Sequence, residues 1–339
     1  MSGLARTALR PLPLLAASLL AAVAVLAPTS PSVPAGDQPA QAAVAPAPTP
    51  RPAAPAVTDA AMRAQGRPRP ARARRAAVRP AARFALDGRR GTSVLRHRRY
   101  LGDGPTLDVY RRTGIRRAVP AVLVVHGGGW AGGGKRRMVP VARAIARAGM
   151  VAVNVSYTLA DWGRPGFPMQ SDQLEAALRW VRARAWRLGV DPDRIGAFGS
   201  SAGGHLTALL ATGARRPTAQ APIDAAVLWS APLDLPAVAR HGLLGPAAEL
   251  MVGCALTACP QLWAQASPLN AVSPGDAPLL LVNSRREMVP VDQPLRMAER
   301  LAAAGVPHEL WLLEGSAHAR EYQHRTLRRS VEFLREWLL

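Results

Sequence analysis

The stretch Arg194-Ile-Gly-Ala-Phe-Gly199-Ser200-Ser201-Ala202-Gly203-Gly204 passes from an apolar strand pattern into Gly199-x-Ser201-x-Gly203, and then into an Ala/Leu-rich helical pattern over 202–213. A bare G-x-S-x-G is common in glycine-rich chains. Between a strand and a helix it describes a turn so tight that only small neighbours fit, and it lifts the serine hydroxyl to the carboxyl end of a sheet. Ser201 is therefore a candidate nucleophile. Outward from it, short β-branched runs at 106–110, 121–125, 151–157, 194–198, 226–229, 279–282 and 309–313 alternate with amphipathic patterns at 138–148, 171–187, 202–213, 293–304 and 320–338. That alternation predicts an α/β fold with a mostly parallel central sheet flanked by helices. No repeat of 20 to 50 residues is present, which excludes solenoids and propellers.

A second motif, His126-Gly127-Gly128-Gly129-Trp130, directly follows the apolar run of 121–125. Consecutive glycines let backbone N–H groups approach a ligand closely, and each preorganised donor aimed at a developing oxyanion is worth about 3 kcal/mol. Gly128 and Gly129, joined by the N–H of Ala202, are the candidate oxyanion hole.

The two motifs, their order and their contexts resemble the α/β-hydrolase superfamily. The similarity is to the esterase branch that carries an H-G-G-G oxyanion loop and includes hormone-sensitive-lipase-like and feruloyl- or acetyl-esterase-like members. It covers about residues 92–339, and segment 231–267 lies where that fold often inserts a small cap. Trp130, Trp162 and Phe167 are candidates to line an acyl pocket. The resemblance implies a general-base histidine and an acid, both after the nucleophile. His318, after the last strand pattern and before the final helix, is the candidate base. Relatives place Asp three residues before the Val of a Val-Pro pair, and here that position is Arg286, whose positive charge cannot orient an imidazole N–H. Glu287, adjacent, is the preferred acid, and Asp292, just beyond Val289-Pro290, is the alternative.

The implied chemistry is hydrolysis of short-chain or aromatic carboxylic esters through an acyl-enzyme, with no cofactor and no metal. The chain itself carries no His-Glu-x-x-His, no Cys/His cluster with zinc spacing and no phosphate-binding loop. Two alternatives stay open: a peptidase of the same superfamily, and a catalytically impaired hydrolase-fold binding protein, the latter favoured by Arg286 alone.

Ahead of the domain, Arg6 and Arg10 precede an apolar run over 12–27 and then small residues, with Ala40-Gln41-Ala42 as a candidate cleavage site. This pattern predicts a secretory signal over about 1–42 and an extracytoplasmic product. The run is shorter than the ~20 residues that span a bilayer, which disfavours the alternative of an uncleaved membrane anchor. Residues 43–83 are Ala, Pro and Arg with too little apolar surface to offset the entropy of ordering, and are expected to be a disordered linker before a domain over 84–339.

Net charge is +21 in 339 residues, which taken alone suggests a polyanionic partner. Between Arg6 and Arg117, however, 20 basic residues face 5 acidic ones, leaving 23 against 17 beyond, so the body is only mildly basic. The arginine run lacks the interleaved aromatics of a nucleic-acid stacking platform. A small-molecule or polysaccharide-borne ester is the expected partner, nucleic acid is not, and loose contact of the linker with an anionic wall stays open. The chain's two cysteines, Cys254 and Cys259, are expected to form a disulfide in an exported protein.

Overall fold

In the computed structural model the described residues are 85–87, 91–214, 223–242 and 244–339, so the signal segment and linker expected over 1–83 lie outside them. All seven expected strands form, as β3 (Thr106–Arg112), β4 (Val119–Val125), β5 (Val151–Val155), β6 (Val190–Ser200), β7 (Ala226–Trp229), β8 (Leu279–Ser284) and β9 (His308–Leu313). Two more, β1 (Ala85–Asp87) and β2 (Thr92–Arg99), extend one edge. The sheet order is β1-β2-β3-β5-β4-β6-β7-β8-β9. Pairing is antiparallel from β1 through β3 to β5 and parallel from β5 to β9. β2 escapes the sequence pattern because its second half, from Arg96 to Arg99, is exposed and charged, as suits a strand near an open edge.

The parallel strands are apolar without alternation because helices cover both faces. In β4, Ala121 and Leu123 pack on one side with α2 (Met169–Ala183), α4 (Ala202–Ala211) and α8 (Asp292–Ala303). Val122 and Val124 pack on the other with α1 (Val139–Arg147) and α9 (Gln323–Leu338). The helical pattern over 171–187 breaks at Arg184, where α2 gives way to the single turn α3 (Ala185–Leu188). α9 starts at Gln323 rather than 320, after a 3-10 turn over Ala319–Tyr322. The segment 231–267 holds three short helices, α5 (Leu235–Ala239), α6 (Gly245–Val252) and α7 (Pro260–Gln265), each with proline in its first turn. The expected disulfide joins Cys254 to Cys259 between α6 and α7.

The chain runs from β4 outward to β5 and then back across β4 to β6, so the connections leave in opposite directions at the carboxyl ends of β4 and β6. Open α/β sheets bind ligands at such a switch point. Val125 is in register with Gly199, which brings the glycine loop after β4 alongside Ser201 after β6.

Two buried devices hold this region. Lys135, the chain's one lysine, places Nζ 2.8 Å from Asp108 Oδ1 and donates to Thr106 Oγ1 at 2.8 Å, with side chains only 7% and 6% exposed for the ion pair. Its carbonyl accepts from Asn154 Nδ2 at 2.8 Å, so the turn after the glycine loop is tied to β3 and β5. On α4, fully buried His205 accepts from Trp130 Nε1 at 3.1 Å through Nδ1 and donates from Nε2 to Ala266 O at 2.7 Å. Acceptance at Nδ1 needs the neutral ring, and burial lowers its pKa to about 4. Burial likewise lowers His126, stacked on Tyr157 at 4.1 Å, to about 4.

Lys135→Met should destabilise the protein by about 3–5 kcal/mol in urea unfolding, because Asp108 is left buried and unpaired, and adding Asp108→Leu should restore much of it. An acid-stability slope is also expected. The unfolded histidines protonate near 6.5 and the folded ones only near 4, so stability is lost as pH falls between those values, by on the order of 3 kcal/mol per ring. His205→Gln should lower stability at pH 7 yet flatten that slope, read from unfolding free energies between pH 4 and 7.

Candidate active site

Ser201 sits between β6 and α4 at φ 54° and ψ −123°, a conformation that an L-residue holds only under constraint. Its N–H donates to Trp229 O at 2.7 Å. The turn closes only because position 203 has no side chain: a Cβ there would lie 2.3 Å from His126 O and 2.5 Å from Val125 O. The small-residue requirement expected from G-x-S-x-G is thus met by contact with the glycine loop itself.

Ser201 Oγ lies 3.0 Å from His318 Nε2, and His318 Nδ1 is hydrogen-bonded to Glu287 Oε2. A carboxylate can only accept, so Nδ1 carries the proton and Nε2 is left to accept from the serine. The Glu287 side chain is wholly buried, while His318 is 22% exposed and faces the cleft. The second carboxylate oxygen accepts from Ser230 Oγ at 2.7 Å and from the Ser284 N–H at 2.9 Å. Ser230 Oγ in turn accepts from the Ala319 N–H at 2.8 Å and lies 2.8 Å from Tyr322 Oη, which donates to Val282 O. Neither Ser230 nor Tyr322 belongs to a sequence motif. Ser230 follows a short apolar strand with nothing to mark it, and Tyr322 reads as a helix residue.

The structure separates the two candidate acids. Asp292 opens α8, and its Oδ1 is buried without a hydrogen-bond partner rather than joined to His318. Arg286 is exposed, and its backbone N–H donates to Gly315 O at 3.1 Å.

Gly128 and Gly129 line the cleft beside Ser201, and Ala202 is buried at the first position of α4. Gly128 has φ 133°, and a Cβ there would stand 2.2 Å from Gly132 O, so the loop doubles back on itself as only glycine allows. Trp130 (φ 60°), Ser201, Ser230 (φ 48°) and Ala319 (φ 50°) are four of the five non-glycine residues with positive φ among the described residues. Each of the four is held by a backbone hydrogen bond: Trp130 O accepts from Ala160, and the N–H groups of Ser201, Ser230 and Ala319 donate to Trp229 O, Val282 O and Ser230 Oγ. Strain of about 1–3 kcal/mol per residue is therefore gathered at one place and restrained there.

The cleft has a volume of about 580 Å³, and Leu244, Ala247 and Met288 form its apolar wall. The expected lining aromatics are elsewhere. Trp130 is buried against His205, Phe167 is buried in the core, and Trp162 is 75% exposed. Among the described residues no group of three or more His, Cys, Asp or Glu side chains could hold a metal ion.

The BD-FAE family model matches residues 107–301, which contain the glycine loop, Ser201 and Glu287. The chain is 30% identical over 252 residues to esterase LipC of Mycobacterium tuberculosis, covering 66% of this chain and 61% of that one. It thus spans less than two thirds of that relative's length. It is 31% identical over 231 residues to ethyl acetate hydrolase of Pseudomonas putida, covering 64% of this chain and 72% of the other. A solved thermophilic esterase of Thermogutta terrifontis, with propionate bound, superposes with a TM-score of 0.58 at 27% identity, covering 71% of this chain and 93% of that one. With the family model matching more than half of the residues and the chain superposing on a solved esterase, it belongs to the BD-FAE family and has the α/β-hydrolase fold.

Proposed function

We propose that the protein is an exported serine esterase that hydrolyses short-chain or aromatic carboxylic esters. The observation that carries this reading is the hydrogen-bonded series Ser201, His318, Glu287 at the sheet's switch point. His318 Nε2 takes the Ser201 proton as Oγ attacks the ester carbonyl, and the N–H groups of Gly128, Gly129 and Ala202 hold the resulting oxyanion. The C–O bond to the alcohol breaks, and His318 returns the proton to the leaving oxygen. Water then attacks the acyl-serine by the same proton route and releases the acid. Glu287 holds the imidazole in the tautomer that accepts from serine and stabilises the imidazolium.

The printed names of the relatives, an esterase and an ethyl acetate hydrolase, favour esters over peptides. The propionate in the Thermogutta structure supports a short acyl group, as does a wall made of Leu244, Ala247 and Met288. Arg286 alone favoured a binding protein, and with Glu287 joined to His318 that reading loses its support.

The test is hydrolysis of p-nitrophenyl acetate, butyrate and octanoate by the full chain. Ser201→Ala should lower kcat by at least ~10⁴-fold and Glu287→Gln by about 10³–10⁴-fold, whereas Asp292→Asn should stay within about threefold. Loss on Asp292→Asn with a nearly normal Glu287→Gln would reverse the assignment of the acid. We also propose that residues 1 to about 42 are a signal removed after export and that 43–83 are a linker ahead of the 84–339 domain. Mass spectrometry of the mature protein should find an N-terminus close after Ala42, and an intact Met1 in an exported product would overturn this.

A further inference from the structure

The cleft at Ser201 is not electrically neutral. Arg137 and Arg320 line it with Gly127, Ser201, His318 and the apolar wall. Both side chains are exposed, and neither guanidinium has an ion pair or hydrogen bond among the described residues. Nearby Arg285, by contrast, is matched by Glu314 at 2.8 Å. The one carboxylate lining the cleft, Glu321, accepts from the backbone N–H of His318 at 2.8 Å, which directs it to the turn rather than to either arginine.

The two cations stand on firm bases. Arg137 follows Lys135, whose ammonium is anchored on Asp108 and Thr106, in the turn that leaves the glycine loop. Arg320 follows His318 and Ala319 in a turn closed by buried Tyr322. One guanidinium therefore comes from the segment that supplies the oxyanion donors and the other from the segment that supplies the base. Guanidinium groups recognise carboxylates through paired N–H donors.

Building on the esterase reading above, we infer that the preferred substrates are esters that carry a free carboxylate close to the scissile bond, bound by Arg137 and Arg320 while the hydrocarbon body lies against Leu244, Ala247 and Met288. The carboxylate can belong to the acyl half or to the alcohol half, and the two are separable by assay. Mono-4-nitrophenyl adipate compared with 4-nitrophenyl hexanoate tests the acyl half at equal carbon count, and 4-acetoxybenzoate compared with phenyl acetate tests the alcohol half.

With the full chain, kcat/KM should be at least tenfold higher for the anionic ester in one of these pairs, after correction for intrinsic reactivity by alkaline hydrolysis. Raising NaCl to 1 M should shrink that ratio, because exposed charges are screened over a few ångströms at that salt. Arg137→Gln or Arg320→Gln should each lower the anionic-to-neutral ratio about tenfold, and the double Arg137→Glu/Arg320→Glu variant should invert it in favour of the neutral ester. If neutral esters are hydrolysed but the ratio is near one in both pairs and does not respond to these substitutions, this inference is wrong and the esterase reading stands. If no ester is hydrolysed above the Ser201→Ala background, both fall.

Discussion

Two backbone segments meet at the carboxyl ends of β4 and β6 with no room for a side chain between them, and the site is built around that approach. Position 203 lies against the carbonyls of Val125 and His126, and position 199 against the carbonyl of Gly203 and the Thr207 hydroxyl, where a Cβ would come within 2.2 and 2.4 Å. A methyl group at either would push the first turn of α4 away from the glycine loop. Ser201 and the glycine-loop N–H groups would then separate by about an ångström, a displacement that in a catalytic site of the kind proposed costs orders of magnitude in rate. Buried neutral groups secure the loop from outside. Tyr157 Oη donates to His126 O at 3.0 Å, and Gln170 Nε2 donates to Trp130 O at 2.9 Å. Fixed dipoles of this kind cost no reorganisation when charge develops.

The acid shows how a departure from pattern is absorbed. With arginine three positions before Val289, a carboxylate must come from elsewhere, and Glu287 has both the adjacent position and one more methylene than aspartate. Extra length brings extra rotamer freedom, so the longer side chain needs more restraint to hold His318 as firmly. Ser230 and the Ser284 N–H supply it at one carboxylate oxygen, leaving the other for the histidine. Because Ser230 also accepts from Ala319, one hydroxyl fixes both the carboxylate and the residue after the base. The cost is a left-handed conformation at Ser230, held by the Ser230 N–H to Val282 O bond at 2.8 Å.

Much of this could be read from the residues, and the boundary follows physical lines. Strands β3 to β9 and the long helices announce themselves because burial on both faces imposes apolar runs and 3.6-residue periodicity. Ser201 and the glycine loop are visible because steric exclusion leaves glycine as the only choice at several nearby positions. His318 depends on chain order after the nucleophile. Glu287 could be preferred over Asp292 from its place beside Arg286, but only the three-dimensional turn after β8, ahead of α8, brings its carboxylate to His318. Ser230, Tyr322 and Lys135 were silent as functional residues for a related reason. Their partners lie 92 positions apart for Ser230 with Tyr322 and 27 for Lys135 with Asp108, a pairing that no local pattern encodes. The helices of 231–267 were missed because they are too short to display a period; of the expected lining aromatics, Trp130 and Phe167 gain more by burial in the core, while Trp162 stands exposed away from the cleft.

That insertion is also tied to the helix behind Ser201. The Trp130 indole on the glycine loop donates to His205 on α4, and His205 donates to Ala266 O at the end of α7. Trp263, fully buried on α7, donates to Cys254 O at 2.9 Å, beside the disulfide that closes the α6–α7 connection. From α6, Ala247 comes within 3.8 Å of where a Gly129 side chain would begin, so the apolar wall of the cleft packs against the glycine loop. The glycine loop, α4 and the α6–α7 segment are therefore linked through hydrogen bonds with a neutral histidine at their centre. A protonated His205 would turn a donor toward the Trp130 N–H and break the unit at its middle. Two histidines near Ser201 thus stand in opposite settings: His318 reaches Ser201 Oγ from the open cleft, whereas His205 is buried and must stay neutral for its bond from Trp130 to last.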